Sequence, residues 1–106
     1  MKCMSVLYKN GDDVKFNFDY YNTKHIPLFV KTFGKSVHKV EVRKGIAAPG
    51  GPKPVYIAIA NIWIADEAAF GALAAQHMGT FAADLPNYSN YPPVVEQYEI
   101  CLEMTA

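Results

Sequence analysis

Excess charge of either sign, cysteine and membrane-length apolar runs are all wanting in this sequence of 106 residues. Ten Lys and Arg balance ten Asp and Glu. With no basic excess to neutralise a phosphate backbone, nucleic acid is not expected as a partner. The one concentration of cations, Lys35, Lys39, Arg43 and Lys44, is interleaved with Glu41 and reads as a solvated strand face. The apolar run 55–65 falls well short of the ~20 residues that span a bilayer, so no membrane is expected either. No basic N-terminal segment leads into an apolar stretch, as a signal peptide would require. Two cysteines occur, Cys3 and Cys101, near opposite ends. A secreted scaffold of this size usually carries more. A cytoplasmic protein with reduced thiols is the expectation.

Cofactor signatures are missing too. His25, His38 and His77 fall on three different predicted elements without metal-ligand spacing such as HExxH. "GIAAPGG" (45–51) lacks the Lys-Ser/Thr ending of a phosphate loop and opens no helix. No dinucleotide fingerprint occurs. No metal and no cofactor is assigned.

Apolar side chains are what the sequence has in quantity: 51% hydrophobic against 19% charged, a balance that rules out disorder. A chain this long forms one domain, residues 1–106, and buries roughly two-thirds of its unfolded surface. "CMSVLYK" (3–9) predicts a strand, ended by the turn residues "NGDD". A helix is predicted over Phe16–Phe33. Asn17 is its N-cap, Phe16 and Tyr21 form a hydrophobic staple, Asp19 favours the dipole and Gly34 stops it. "SVHKVEVR" (36–43) alternates as a second strand, and "VYIAIANIWI" (55–64) predicts a third. Asp66 caps a second helix running to about Met78, and "VVEQYEICLEM" (94–104) predicts the last strand. The order βαββαβ is ferredoxin-like, an α+β class with two helices on one face of a four-stranded antiparallel sheet.

The third strand carries a further implication. Tyr56, Ala58, Ala60, Ile62 and Ile64 alternate with Val55, Ile57, Ile59, Asn61 and Trp63, so both faces are largely apolar. Two helices cover only one face. A homodimer with sheets packed face to face is the economical cover for the other.

One histidine interrupts the first helix's core face. At 100° per residue, Phe18, Tyr21, His25, Ile26, Leu28, Phe29, Thr32 and Phe33 lie together, with His25 near the centre. Tyr20, Thr23, Lys24, Pro27 and Lys31 fall opposite. Pro27 removes a helical hydrogen bond at a cost of about 3 kcal/mol, so a kink or a break near Ile26 is expected. A buried imidazole needs a partner. Tyr21, one turn earlier, is the candidate. His25 is either a satisfied core group or a working acid/base, a role to which imidazole chemistry is generally suited.

"ADLPNYSNYPP" (83–93) is the other polar concentration. Its plain reading has Asp84 and Asn87 satisfying local backbone in a tight loop. The functional alternative puts Asn87 or Tyr88 on a pocket rim.

An opening strand ending in "LY", then "YYNTKHIPL", "YIAIANIWI", "DEAAF" and "ADLPNYSN", in that order and spacing, resembles the EthD family over essentially the whole chain. The resemblance implies a ferredoxin-like fold assembled as a dimeric α+β barrel and a role with small molecules. The family's founding context is bacterial degradation of an alkyl ether, other members sit in aromatic polyketide pathways, and many are described as reductases or oxidoreductases. Its tyrosine pair falls on Tyr20 and Tyr21, its histidine on His25 and its proline on Pro27. Its second motif falls on Asp84, Pro86, Asn87 and Tyr88, with Ser89 where threonine is more usual. Haem-degrading monooxygenases of the same fold pair a tryptophan on the third strand with a histidine on the second helix. Trp63 and His77 superficially match, but the first strand has no asparagine to complete that set.

These observations lead to an expected enzyme for a small hydrophobic or aromatic, oxygen-bearing molecule, using metal-free acid/base or oxidoreductase-type chemistry. His25 and Tyr21 are the catalytic candidates. Tyr8, Trp63, Asn87 and Tyr88 are the substrate-binding candidates. A non-catalytic carrier dimer is the competing expectation.

Overall fold

The alternating segment "YIAIANIWI" becomes an inner strand of a four-stranded antiparallel sheet. The structure, a computed structural model, describes residues 1–106. Its strands are β1 (Lys2–Lys9), β2 (Val37–Lys44), β3 (Tyr56–Ile64) and β4 (Val94–Glu99), ordered β2-β3-β1-β4. The helices are α1 (Phe18–Tyr20), which runs through a π-helical turn at Tyr21–His25 into α2 (Ile26–Phe33), and α3 (Glu67–Ala83). No helix is long and apolar enough to cross a membrane.

Local chemistry sets the helix ends as expected. The Asn17 side chain accepts from the Tyr20 N–H at 3.0 Å, and Asp66 accepts from Ala69 N–H at 3.0 Å. Phe16 and Tyr21 meet with ring centroids 5.0 Å apart, closing the staple. Gly34 ends α2 with φ 51° and ψ −130°, a left-handed conformation that Cβ disfavours.

Pro27 neither breaks nor ends the helix. The residues before it widen instead: the N–H of Ile26 bonds the carbonyl of Tyr21, five residues back. A proline removes one donor and crowds the preceding turn, and a π turn absorbs both defects within a continuous rod. The buried stripe is therefore Tyr21, His25, Phe29 and Phe33, while Leu28, expected on the core face, is exposed.

Two other boundaries differ from expectation. Helix α3 runs one turn beyond Met78 because Phe81 packs against the stacked rings of Phe29 and Phe33, at centroid distances of 5.4 and 6.0 Å. Burying a phenylalanine gains about 1.5–3 kcal/mol, which outweighs the ~1 kcal/mol disadvantage of Gly79 in a helix. Strand β4 stops at Glu99, opposite Lys2, because β1 offers no further partner beyond the Ile100 N–H to Met1 carbonyl bond.

Register decides which side chains meet the helices. Met4 pairs with Ile62, Val6 with Ala60 and Tyr8 with Ala58, and this face carries the core. Phe29, Phe33, Phe70 and Phe81 fill one end of it. At the other end Ala58 and Ala60, fully buried and small, leave room for Tyr8, Tyr21 and Tyr88. Leu7, Ile57, Ile59 and Trp63 stand on the opposite face. There a polar line also runs across the strands, from Ser5 Oγ to Asn61 Oδ1 at 2.7 Å and from Asn61 Nδ2 to Glu41 Oε1 at 3.2 Å.

Candidate active site

Where the phenylalanine and tyrosine ends of the core meet, they do not close. A cavity of about 310 Å³ remains between sheet and helices, lined by 16 residues of which 13 are hydrophobic. Met4, Val6, Tyr8 and Ile62 form its floor, and Tyr21, His25 and Phe29 one wall. Its deep lining is buried, but Met78, Ala82, Pro92 and Val95 are exposed, Val95 at 54%. The mouth therefore opens between the later turns of α3 and the start of β4.

His25 is 6% exposed and lines this cavity. Its partner is not Tyr21. The two rings stack, 5.1 Å between centroids and 14° between planes, as the π turn brings them one above the other. The partner is Asp84, whose Oδ2 lies 2.9 Å from His25 Nδ1. The other carboxylate oxygen of Asp84 accepts from the Tyr20 hydroxyl at 2.7 Å and from Asn87 Nδ2 at 2.8 Å. Asp84 thus serves side chains, and the local-backbone reading of this residue is corrected. It follows α3 directly, so the unexpected last turn of that helix is what carries it to His25.

Burial works to raise the Asp84 carboxyl, but hydrogen bonds from Asn87, His25 and Tyr20 outweigh it and hold the group below the usual carboxylate range. A charged carboxylate only accepts, so His25 Nδ1 carries a proton. The second nitrogen, Nε2, makes no hydrogen bond to the protein. In the neutral ring it is a free base, and in the charged ring a free acid.

Three phenols stand around the histidine. Tyr88 lies 4.6 Å from His25 between centroids, and its hydroxyl meets that of Tyr8 at 2.9 Å. Two hydroxyls sharing one bond keep one proton to donate elsewhere. Burial pushes the Tyr8, Tyr21 and Tyr88 phenols all up, so each stays neutral and protonated across the physiological range. An apolar cavity with a basic nitrogen and a phenolic donor can bind an oxygen-bearing ring and move a proton on it.

Not every expected residue joins this site. Tyr8, Tyr21, His25 and Tyr88 converge on the cavity. Asn87 is exposed and outside it, acting on Asp84. Trp63 stands on the other face of the sheet, under the Lys39 ammonium 4.6 Å from its ring centre, and lines a separate cleft with His38. The sheet also separates Trp63 from His77 on α3, so the haem-type pairing is not formed. Cys3 is buried, Cys101 exposed, and both are free. No three His, Cys, Asp or Glu side chains gather as a metal site. Tyr20, assigned by periodicity to the solvent side of its helix, reaches Asp84 because a phenol's length spans the gap.

Comparison with known proteins agrees with the resemblance read from the motifs. No curated protein matches the chain. An EthD-like protein from Ralstonia eutropha JMP134 superposes with a TM-score of 0.90 at 24% identity, covering 98% of this chain and 95% of that one. An ethyl tert-butyl ether D (EthD) family protein from Bacillus halodurans C-125 gives 0.69 at 16% identity, covering 98% and 99%. HapK from Hahella chejuensis gives 0.59 at 16% identity, covering 100% and 98%. At these identities the superpositions speak for the fold. The EthD domain itself matches residues 10–90, from the turn after β1 to the loop before β4, and by that match the chain belongs to the EthD family.

Proposed function

We propose that this protein is an enzyme that moves a proton on a small hydrophobic or aromatic, oxygen-bearing molecule held in the helix–sheet cavity. One observation carries the reading: His25 is tied at Nδ1 to a charged carboxylate and keeps Nε2 unpartnered beside an apolar cavity. A histidine serving only the core would have both nitrogens satisfied or neither aimed at space.

The chemistry follows from the groups present. Nε2 takes a proton from a carbon or hydroxyl of the substrate, and Asp84 stabilises the imidazolium that forms. The spare hydroxyl proton of the Tyr8–Tyr88 pair hydrogen-bonds the substrate oxygen on which charge builds and stays on its phenol. Tyr21, stacked on the imidazole, fixes the ring plane. The proton then returns from Nε2 to another atom of the substrate or to water. Size limits the ligand: about 150 Å³ accommodates benzene, so about 310 Å³ suits a two-ring molecule.

The apolar side chains on the uncovered sheet face support a homodimer in which two such faces pack together, and two free thiols suit a cytoplasmic setting. The competing reading is a carrier that holds the same ligand without changing it.

The test begins with a native mass spectrum of protein purified without added ligand, which identifies any bound compound. That compound is then incubated with wild type and with His25→Ala. Turnover by wild type, falling about 10²- to 10⁴-fold in the variant, is expected. Binding without turnover by wild type would leave the carrier reading in its place.

A further inference from the structure

We propose that Tyr20, assisted by Asn87, is a positioning residue that aims the Asp84 carboxylate at His25. The inference rests on the reading of His25 given above and deepens it.

Asp84 lies just past the end of α3, where no further helical turn restrains its side chain. A carboxylate there can rotate, and either oxygen could face the imidazole. The structure divides the two oxygens between different partners. Oδ2 meets His25 alone, while Oδ1 is held by Tyr20 at 2.7 Å and Asn87 at 2.8 Å. Two fixed donors on one oxygen leave the other oxygen a single orientation, as second partners do for ligating and catalytic side chains generally.

Tyr20 is itself fixed from three directions. Its N–H is held by Asn17 at 3.0 Å, its ring lies parallel to Tyr88 at 6.4 Å, and its hydroxyl receives a longer bond from Asn87 at 3.4 Å. Proton counting gives it a second effect. A phenol donating to Asp84 lowers that carboxylate's basicity, so the shared proton stays on His25 Nδ1 and Nε2 stays free. The Asp84 carboxylate in turn keeps the Tyr20 phenol protonated, since it raises that group above the ordinary tyrosine value. Tyr20 makes no contact with the cavity, so its action passes through Asp84.

Nuclear magnetic resonance of the full-length protein tests this without any substrate. The carboxyl carbon of Asp84 is titrated, and the imidazole nitrogens of His25 are observed, in wild type, Tyr20→Phe and Asn87→Ala. Tyr20→Phe keeps the ring and its stacking on Tyr88, and Asn87 is exposed, so both variants keep the fold. Each should raise the Asp84 midpoint, because each removes a hydrogen bond that holds the carboxyl down, and each should speed exchange of the His25 Nδ1 proton. An unchanged midpoint and unchanged proton exchange in Tyr20→Phe overturn the proposal. Neither signal depends on turnover. A carrier without activity would sink the enzyme reading while leaving these shifts in place.

Discussion

His25 Nδ1 and Asp84 Oδ2 stand 2.9 Å apart although 59 residues separate them along the chain. The bond joins the end of a π-helical turn to the end of α3, the two places where each helix departs from simple expectation. A π turn lets His25 lie over Tyr21, and an added turn of α3 delivers the carboxylate.

That pairing makes stability depend on acid. Asp84 has a lower pKa folded than unfolded, so it stabilises the fold above about pH 4 and loses that contribution as pH falls through its depressed folded value. Asp84→Asn should therefore cost about 1.5–3 kcal/mol near neutrality, the usual worth of hydrogen bonds to a charged group. Urea unfolding at a series of pH values should show the gap between wild type and variant narrowing below about pH 4. A gap independent of pH would mean that Asp84 is not ionised in the fold.

Blocking the mouth should empty the cavity without harming the core. Val95 is exposed at the opening, so Val95→Trp places a large ring across it at little structural cost. With 2-naphthol as a two-ring probe, binding followed by chemical shifts at His25 should weaken by at least about tenfold, or 1.4 kcal/mol. Undiminished binding would place the entrance elsewhere.

Gly34 offers a test of backbone strain alone. Its φ of 51° with ψ of −130° is a region that residues with Cβ avoid, yet a Cβ built there would meet nothing within 4 Å. Gly34→Ala should cost about 1–3 kcal/mol, read by chemical denaturation. A neutral result would show that α2 can end in another conformation.

The uncovered sheet face sets the expected assembly. Sedimentation should give a dimer for wild type and a monomer for Ile59→Lys, which would put two like charges in a dry interface. A variant that remains dimeric would move the interface off this face.

Several features were legible from residues alone. The two periods, 2 and 3.6, gave the element order, and Asn17, Asp66 and Gly34 marked helix ends by their own capping chemistry. His25 and Tyr21 were visible as polar groups on an apolar stripe. Tyr8 and Tyr88 were visible as aromatic residues in the motifs that flank it. The length of α3 was not legible, because Phe81 is drawn in by Phe29 and Phe33 from a distant helix. Nor was the position of Trp63. Alternation separates two sets of side chains on β3, but only the pairing of Tyr8 with Ala58 and of Cys3 with Trp63 shows which set the helices cover.

What the sequence determined by itself was everything set by near neighbours: caps, turns, alternation, and a proline that forces its helix to adjust. Tertiary structure alone decided how it adjusted and what the histidine met there. Asp84, Tyr20 and His25 come together only after α3 packs on the sheet beside α2, and a contact across 59 residues leaves no local trace in either segment. Burial of the imidazole then gives the pairing its force, since a ring held away from water needs the half-buried carboxylate as its partner.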